Sequence, residues 1–454
     1  MKKKYTTIGF FGPRLDAQYQ IILWKGIVEK AKKEGVNLIY FPGEKINSRY
    51  AFEYQANIVY KLAGKENIDG LIVLANIIGI YLPKNEMRAF CLSYLPLPIV
   101  SVGISLAGIP SVEVDNSNGI RQLISHLVQY HHYRRFAFIC GPRNNEEVED
   151  RIVTLRDVLQ DHGLDLDDEL IVAGDFFLES GAKAVKVLVE KQNKSFDVII
   201  AANDYMAIGA LEALRLKGIN VPEDVAVTGF DDIQSSSYCT PPLTTVYQPI
   251  LEKGRKAMEI VLALLSHKKV KERTMLPTKL VIRESCGCFH HDSGQLPFVI
   301  NAGNREDLHK HFTTLKRMVV KESNDIIGFS MFSMKKYNGE SCVTQLIDAF
   351  YNDLKNNSPE SFISQLNRIL RFFVSEGQDV FSWHRFISIL RDNILKYKLT
   401  QEEILLAEYL REQAGELIGE ISQRYQGYKL MEAERLSRRL WEFGNALITS
   451  LQIP

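Results

Sequence analysis

Long apolar runs are missing from this sequence, and their absence removes the simplest membrane readings. No stretch approaches the 18 or more apolar residues that a bilayer-crossing helix needs. The start, MKKKYTTIGFFG, is basic, but its apolar run breaks at Gly12-Pro13, too soon for a signal peptide. Cysteine is sparse: six in 454 residues do not make a disulfide framework. An excess of one charge is missing too, since 55 Lys and Arg balance 55 Asp and Glu. A dominant nucleic-acid surface normally shows as a basic domain, so nucleic acid is not expected as a partner. At 46% apolar and 24% charged, the composition is that of a folded globular protein. The expectation is a cytoplasmic chain, not attached to a membrane, of about three domains' length.

Proline is scarce in the last third. Thirteen of the fifteen prolines lie at or before Pro297. Short elements with turns are expected first and long helices afterwards, with the join near 286–300. In the first region, Val- and Ile-rich runs read as strands: Thr7–Phe11, Asn37–Phe41, Gly70–Leu74, Pro98–Val102, Ser111–Val114, Phe136–Cys140, Leu170–Val172, Asp197–Ala201 and Val225–Gly229. Between them lie amphipathic helical patterns at Tyr19–Glu34, Gly119–Tyr130, Glu146–His162 and Tyr205–Lys217. The Gly stops in KKEG, QDHG and RLKG suit left-handed helix ends. Alternating strands and helices imply parallel, doubly wound α/β sheets. Nine or ten strands are too many for one sheet, so two lobes are expected, with ligands at the carboxyl ends of strands.

After Pro297 the pattern is helical. Leu410, Ala414, Leu417 and Ile421 step by 4, 3 and 4, Tyr428 and Met431 continue, and Leu436, Leu440, Phe443 and Leu447 repeat the pattern out of register. This fits a coiled coil with a register slip, or an amphipathic helix packed on its own domain. The ending at SLQIP reads as an interruption.

Catalytic signatures are absent. There is no GxxxxGK(S/T), no GxGxxG after the first strand, and no HExxH or GxSxG. A GGDEF-type cyclase motif and a kinase phosphoacceptor box are missing as well. Cys286-Gly-Cys288 followed by His290-His291 offers four metal-ligand types, but the Cys pair is too closely spaced and no second pair is visible. It is read as a strand end entering a linker, so neither a metal nor a cofactor is expected. His131-His132 beside Arg134-Arg135 reads as a solvated turn.

The strand-end loops hold better candidates. Phe176 follows Gly174-Asp175 after a strand, where a ring could stack on a sugar or base. Asn203 and Asp204 follow VIIAA, and Asp231 and Asp232 follow VAVTGF. Arg151 sits in a helix entered from the loop after FAFICG. A guanidinium with carboxylates and amides suits a neutral polyhydroxylated ligand, whose hydroxyls both donate and accept. Asp204 reads as a cap or hinge residue rather than a contact.

Taken in order, VEVDNSNGIRQLISHLV, YRRFAFICGP, EDRIVTLRDVL, GDFFLESG, AANDYMAIGALEALRLKGINVPEDVAVTGFDDI, PPLTTVYQPI and LVIRESCGC resemble the ligand-binding core of the LacI/GalR repressor family over residues 5–288. The resemblance implies a bilobal periplasmic-binding-protein-like fold with crossovers near His132–Arg135, Tyr238–Thr245 and Leu276–Lys279. Lobe 1 would comprise about 5–133 and 245–276, lobe 2 about 134–240 and 279–288. A linker at 289–300, a helical domain at 301–405 and a long helix or coiled coil at 406–454 would follow. The implied ligand positions are Arg14, Asp16, Asn118, Arg151, Phe176, Asn203, Asp231 and Gln248. The family's repressors begin with a helix-turn-helix and hinge helix, whereas this sequence starts at the first core strand. Thr154 stands where the family commonly has Gly.

The helical C-terminal region resembles linkers that place a LacI-type sensor ahead of a histidine kinase or diguanylate cyclase. The expectation is a non-enzymatic, dimeric sensor of a sugar or related metabolite, which passes lobe closure to a signalling output. The alternative is a transcriptional regulator acting on DNA directly or through a partner. A transport-type binding protein would need export, which the N-terminus does not suggest.

Overall fold

The computed structural model describes residues 5–48, 51–142, 146–190, 195–288, 316, 319, 342–356, 359, 361–375, 377–378, 380–394 and 400–450. The chain divides into two compact units, Met1–Phe289 with Ala433–Pro454, and His290–Glu432. The expected linker at 289–300, with His290-His291, lies outside the described residues.

In the first unit, runs of β-branched and aromatic residues become strands buried on both faces, as parallel sheets require. One sheet contains β1 (Thr7–Pro13), β2 (Asn37–Gly43), β3 (Gly70–Val73), β4 (Ile99–Val102), β5 (Ser111–Val114) and the late strand β11 (Arg273–Leu276). Its order is β11-β5-β4-β3-β1-β2, parallel throughout, with Phe10 opposite both Tyr40 and Ile72. Alternate residues feed opposite cores: Phe11, Leu71, Val73 and Ile99 on one face, Ile8, Phe10, Ile72 and Val100 on the other. Each such side chain contributes about 1.5–3 kcal/mol relative to exposure.

The second sheet is β7-β6-β8-β9, again parallel, from β6 (Phe136–Cys140), β7 (Ile171–Ala173), β8 (Val198–Ala201) and β9 (Ala226–Thr228). All nine strands expected from the Val/Ile runs are present. Three that were not expected are β10 (Thr245–Tyr247), β11 and β12 (Lys279–Val281); β10 and β12 pair antiparallel where the chain passes between lobes. They are three or four residues long and partly polar, which leaves little periodic signal.

Helices flank both sheets: α1 (Gln18–Glu34), α2 (Ala51–Ala56), α3 (Ala75–Ile78), α4 (Lys84–Leu92), α5 (Asn116–Gln129), α6 (Glu146–Asp161), α7 (Leu178–Glu190), α8 (Asp204–Leu216), α9 (Gln234–Tyr238) and α10 (Ile250–Leu265). Gly35 closes α1 at φ 67°, and its N–H reaches the carbonyls of Ala31 and Lys32. One packing device recurs in both lobes. A Cβ on Gly26 of α1 would lie 2.0 Å from the Leu251 carbonyl oxygen, and one on Gly254 of α10 2.2 Å from that of Leu23. In the other lobe, Gly181 of α7 and Gly209 of α8 face the carbonyls of Met206 and Leu178 at 2.0 and 1.9 Å. Reciprocal glycines thus bring each helix pair to backbone contact.

The second unit is helical over its described residues: α11 (Cys342–Asn356), α12 (Ser361–Ser375), α13 (Trp383–Ile394) and, as far as Glu432, the 50-residue α14 (Gln401–Ser450). Buried Asp353 accepts the N–H groups of Ser361 and Phe362 and so caps α12. Thr400 and Glu403 exchange hydrogen bonds in a capping box that starts α14. Leu410, Ala414, Leu417 and Ile421 join Trp383 and Phe386 in one core, so this first heptad set is used inside the unit. Leu436 and Leu440 are exposed, while the side chains of Phe443 and Leu447 lie outside the described residues. No helix among the described residues is long and apolar enough to cross a membrane.

Gly26→Ala should destabilise the first unit by about 1–3 kcal/mol, as overpacking does. Thermal unfolding of this variant beside Gly64→Ala, where an added Cβ meets nothing within 4 Å, gives the comparison. Equal losses in the two would contradict the close-packing account.

Candidate functional site

The carboxyl ends of both sheets open onto one cleft of about 1080 Å³, including its open mouth. Lobe 1 contributes the loop after β1 with Arg14, Asp16 and Tyr19, then Glu44 and Lys45 after β2, and Asn76 after β3. Lobe 2 contributes Glu147 and Arg151 of α6, Phe176 after β7, Asn203 after β8 and Asp231 after β9; Gln248 follows β10. Of the eight expected ligand residues, the cleft brings together Arg14, Asp16, Arg151, Phe176, Asn203, Asp231 and Gln248.

Asn118 is elsewhere. Its Nδ2 donates to the Thr278 carbonyl at 3.1 Å, and its N–H donates to Asp115, the cap of α5. Asn116, two residues earlier, instead accepts from Arg151 Nε at 3.1 Å. The helix starts before the expected Gly119, and two residues, about half a turn, separate the two asparagines' roles.

Arg151 is 2% exposed. Besides Asn116, it donates from Nη1 to the Ala202 carbonyl, and its guanidinium lies 3.8 Å from the Phe230 ring centroid. Nη2 makes no hydrogen bond to the described residues. Asp231 stands at φ 129° and accepts from Gln248 Nε2 at 2.6 Å. Burial raises its pKa well above the carboxylate range; Arg151 opposes this, while Asp204 and Glu147 add to it. Arg14 pairs with Glu44 at 2.6 Å and with Asp16 at 3.5 Å, making a charged rim.

Phe176 adopts φ 70°, uncommon for a bulky residue. Asn203 holds that turn by donating from Nδ2 to the Phe176 carbonyl at 3.0 Å, while its Oδ1 caps α8 through the Met206 N–H. Asn203 therefore acts largely by positioning the ring. Asp204 is fully buried, accepting from the Ile233 N–H at 3.0 Å and the Thr245 hydroxyl at 2.5 Å. It ties β8 to the passage between lobes, consistent with a hinge role.

Sequence reasoning missed several lining residues: Tyr19, Gln20, Glu53, Asn76, Glu147 and Tyr205. They carry no motif and follow strands from both lobes. Lys253, completely buried, hydrogen-bonds Tyr19 at 3.0 Å and faces Glu147 at 3.6 Å. Asn76 donates to Glu147 across the cleft at 3.1 Å, and the Tyr205 hydroxyl accepts from the Gln18 N–H at 3.1 Å. These bonds join the lobes.

Among the described residues, five buried acceptors lining the cleft make no hydrogen bond: Gln20 Oε1, Glu53 Oε2, Asn76 Oδ1, Gln248 Oε1 and Glu147 Oε1, the last of which faces the Lys253 ammonium at 3.6 Å. A buried acceptor without a hydrogen bond costs about 1–3 kcal/mol. Such a set suits a ligand carrying several donors.

Away from the cleft, Cys286 and Cys288 meet His126 and His131; the His290-His291 pair considered from spacing lies outside the described residues. His131 is half-buried rather than part of a solvated turn, whereas His132 is exposed.

Residues 124–286 match the periplasmic binding protein-like domain family. The HTH-type transcriptional regulator CelR of Thermobifida fusca is 33% identical over 230 residues, 49% of this chain and 65% of the relative. The chain thus spans just under two thirds of that regulator's length. The HTH-type transcriptional regulator DegA of Bacillus subtilis is 27% identical over 289 residues, 62% of this chain and 81% of its own. A solved complex of the regulator CelR with cellobiose superimposes with TM-score 0.53 at 26% identity, covering 63% of this chain and 86% of the other. The first unit is a LacI/GalR-type ligand-binding core. Both curated relatives of this LacI-type core are named as regulators rather than enzymes.

Asp204 makes the core's stability depend on pH. Burial raises its pKa to about 7, outweighing the Thr245 and Ile233 hydrogen bonds that favour the charge. The folded state thus keeps this proton to higher pH than the unfolded chain, whose aspartates titrate near about 3.9. The stabilising contribution of protonated Asp204 is present at acid pH and lost as pH rises from about 4 through about 7. Urea unfolding of wild type and Asp204→Asn at several pH values should show their stability difference falling with rising pH in this window, by at most about 1.4 kcal/mol per unit. A pH-independent difference would contradict the assignment.

Proposed function

We propose that this chain is a metabolite-responsive regulator of transcription of the LacI type, with a sugar or similar polyhydroxylated molecule in the cleft. The observation that carries the reading is the set of five buried acceptors that line one cavity together with Arg151 and Phe176. A neutral polyol supplies hydroxyl donors to Gln20, Glu53, Asn76, Glu147 and Gln248 and accepts from the guanidinium. Its apolar face suits the Phe176 ring. Asp16 and Arg14 close the rim. The relative solved with cellobiose supports a sugar as ligand class. The lobes close as the ligand bridges them, and a full swing needs about 5.5 kcal/mol of preference for the closed state.

The relatives' names carry a helix-turn-helix, which weighs against the expectation from zero net charge that nucleic acid is not a partner. In this reading the protein works on DNA, directly or through a partner, as a cytoplasmic homodimer. A second reading rests on the separate helical unit with its 50-residue α14. There, closure is passed to those helices and on to a signalling output. The comparisons lend no support to a kinase or cyclase as that output.

A thermal-shift screen of the full chain against mono- and disaccharides, sugar phosphates, nucleosides and free bases tests the site. Binding at a hundred times Kd adds about 2.7 kcal/mol, enough for a shift of about 5 °C in a core of this size. Arg151→Ala and Phe176→Ala should each weaken the responding compound about 10- to 100-fold, in keeping with a lost charged hydrogen bond or stacking partner. Full binding in both variants would remove the assigned site. A ligand-dependent gel shift with the gene's own upstream region separates the regulator from the signalling reading.

A further inference from the structure

Four side chains that the cleft does not use converge beside the first passage between lobes. His126 lies on the last turn of α5 and His131 two residues beyond its end; Cys286 and Cys288 close the LacI-type core. One ligand atom from each lies within 4.8 Å of all the others. The Cys286 Sγ to His126 Nε2 distance is 3.7 Å, Cys288 Sγ to His126 Nε2 is 3.5 Å, and Cys288 Sγ to His131 Nε2 is 3.3 Å. A tetrahedral zinc with Zn–S of about 2.3 Å and Zn–N of about 2.0–2.1 Å sets each sulfur about 3.6 Å from each nitrogen. The observed separations bracket that value.

The local backbone serves the convergence. Gly287 takes φ 104°, turning the Cys-Gly-Cys segment, and a Cβ there would stand 3.2 Å from the His131 ring. This left-handed turn lets a pair with only one intervening residue present both sulfurs to the same point. The rings are fixed from behind: His126 stacks on Tyr130 and His131 on Tyr133, with centroids 5.4 and 5.3 Å apart. The Tyr133 hydroxyl also donates to the Cys286 carbonyl at 2.9 Å.

We propose that His126, His131, Cys286 and Cys288 form a structural zinc site. With four protein ligands it has no open position, which distinguishes a structural from a catalytic zinc. The ion would fasten the final residues of the core to α5 and to the crossover after it, fixing the point where the chain leaves the hinge. The two ligand pairs lie 157 to 162 residues apart in the pairs measured, so the bond closes a long loop. This inference is independent of the ligand proposed for the cleft.

The test uses the full chain, purified in reductant without a metal-chelating tag. Elemental analysis should find about one zinc per chain, as a closed four-ligand site requires. Replacement by Co²⁺ should give the visible bands of tetrahedral cobalt and a thiolate-to-cobalt charge-transfer band in the near ultraviolet. Cys288→Ser and His131→Ala should lose the metal and these bands, while His132→Asn, beside the cluster, should keep them. The wild-type readings decide the matter even if a variant fails to fold. Less than about a tenth of a zinc per chain after reconstitution, with no cobalt bands, would overturn the proposal. So would a Cys286–Cys288 disulfide that persists in reductant.

Discussion

An arginine with 2% of its surface exposed lines the cleft, and much of the site is arranged around it. Burying a charge is costly unless it is paired and hydrogen-bonded. Arg151 has the Asn116 amide, the Ala202 carbonyl and the Phe230 face, with Asp231 as the opposing carboxyl. These groups arrive from α5, the end of β8 and the end of β9. The strand ends must therefore be in register for the charge to be tolerated. Nη2 makes no hydrogen bond to the described residues, and five acceptors lining the same cavity make none either. Stability alone would favour closing those bonds within the protein; their retention in one cavity is what binding needs.

The connection between site and hinge is short. Asn203 supports the Phe176 turn and caps α8, while the next residue, Asp204, reaches Ile233 and Thr245. Asp232 pairs with Arg283 at 2.7 Å, and Arg283 also donates to the Leu243 carbonyl at 3.0 Å. The residues beside the ligand position thus share bonds with the segments that pass between lobes. The backbone-to-backbone packing at Gly26–Gly254 and Gly181–Gly209 gives each lobe a rigid helix pair. Any closure of the lobes would then fall on the crossovers, as in hinge motion between rigid bodies.

Much of this was legible in the sequence. Strands such as Phe136–Cys140 announce themselves because burial on both faces demands unbroken apolar runs, and Gly35, Gly163 and Gly218 sit at the left-handed helix ends that their stop signals implied. Phe176, Arg151 and Asp231 were singled out because ligands gather where strands end, and all three line the one cleft. Asn118 does not line it: Asn116 and Asn118, two residues apart at the start of α5, look alike in sequence and face different partners in space. Tyr19, Asn76 and Glu147 had no motif to mark them, since their roles come from lobes meeting. The His126–Cys288 contact was illegible for the same reason: spacing rules read neighbours, and these residues meet only through the hinge. The first heptad set could not reveal from its periodicity that its partner was its own core.

Hydrogen–deuterium exchange of the full chain, with and without the compound giving the largest thermal shift, tests the central claim most directly. The account requires simultaneous protection at 13–20 and 44–53 in lobe 1 and at 175–177, 203–205 and 231 in lobe 2, because one ligand bridges both sets. Protection confined to one lobe, or lying outside the cleft, would contradict it.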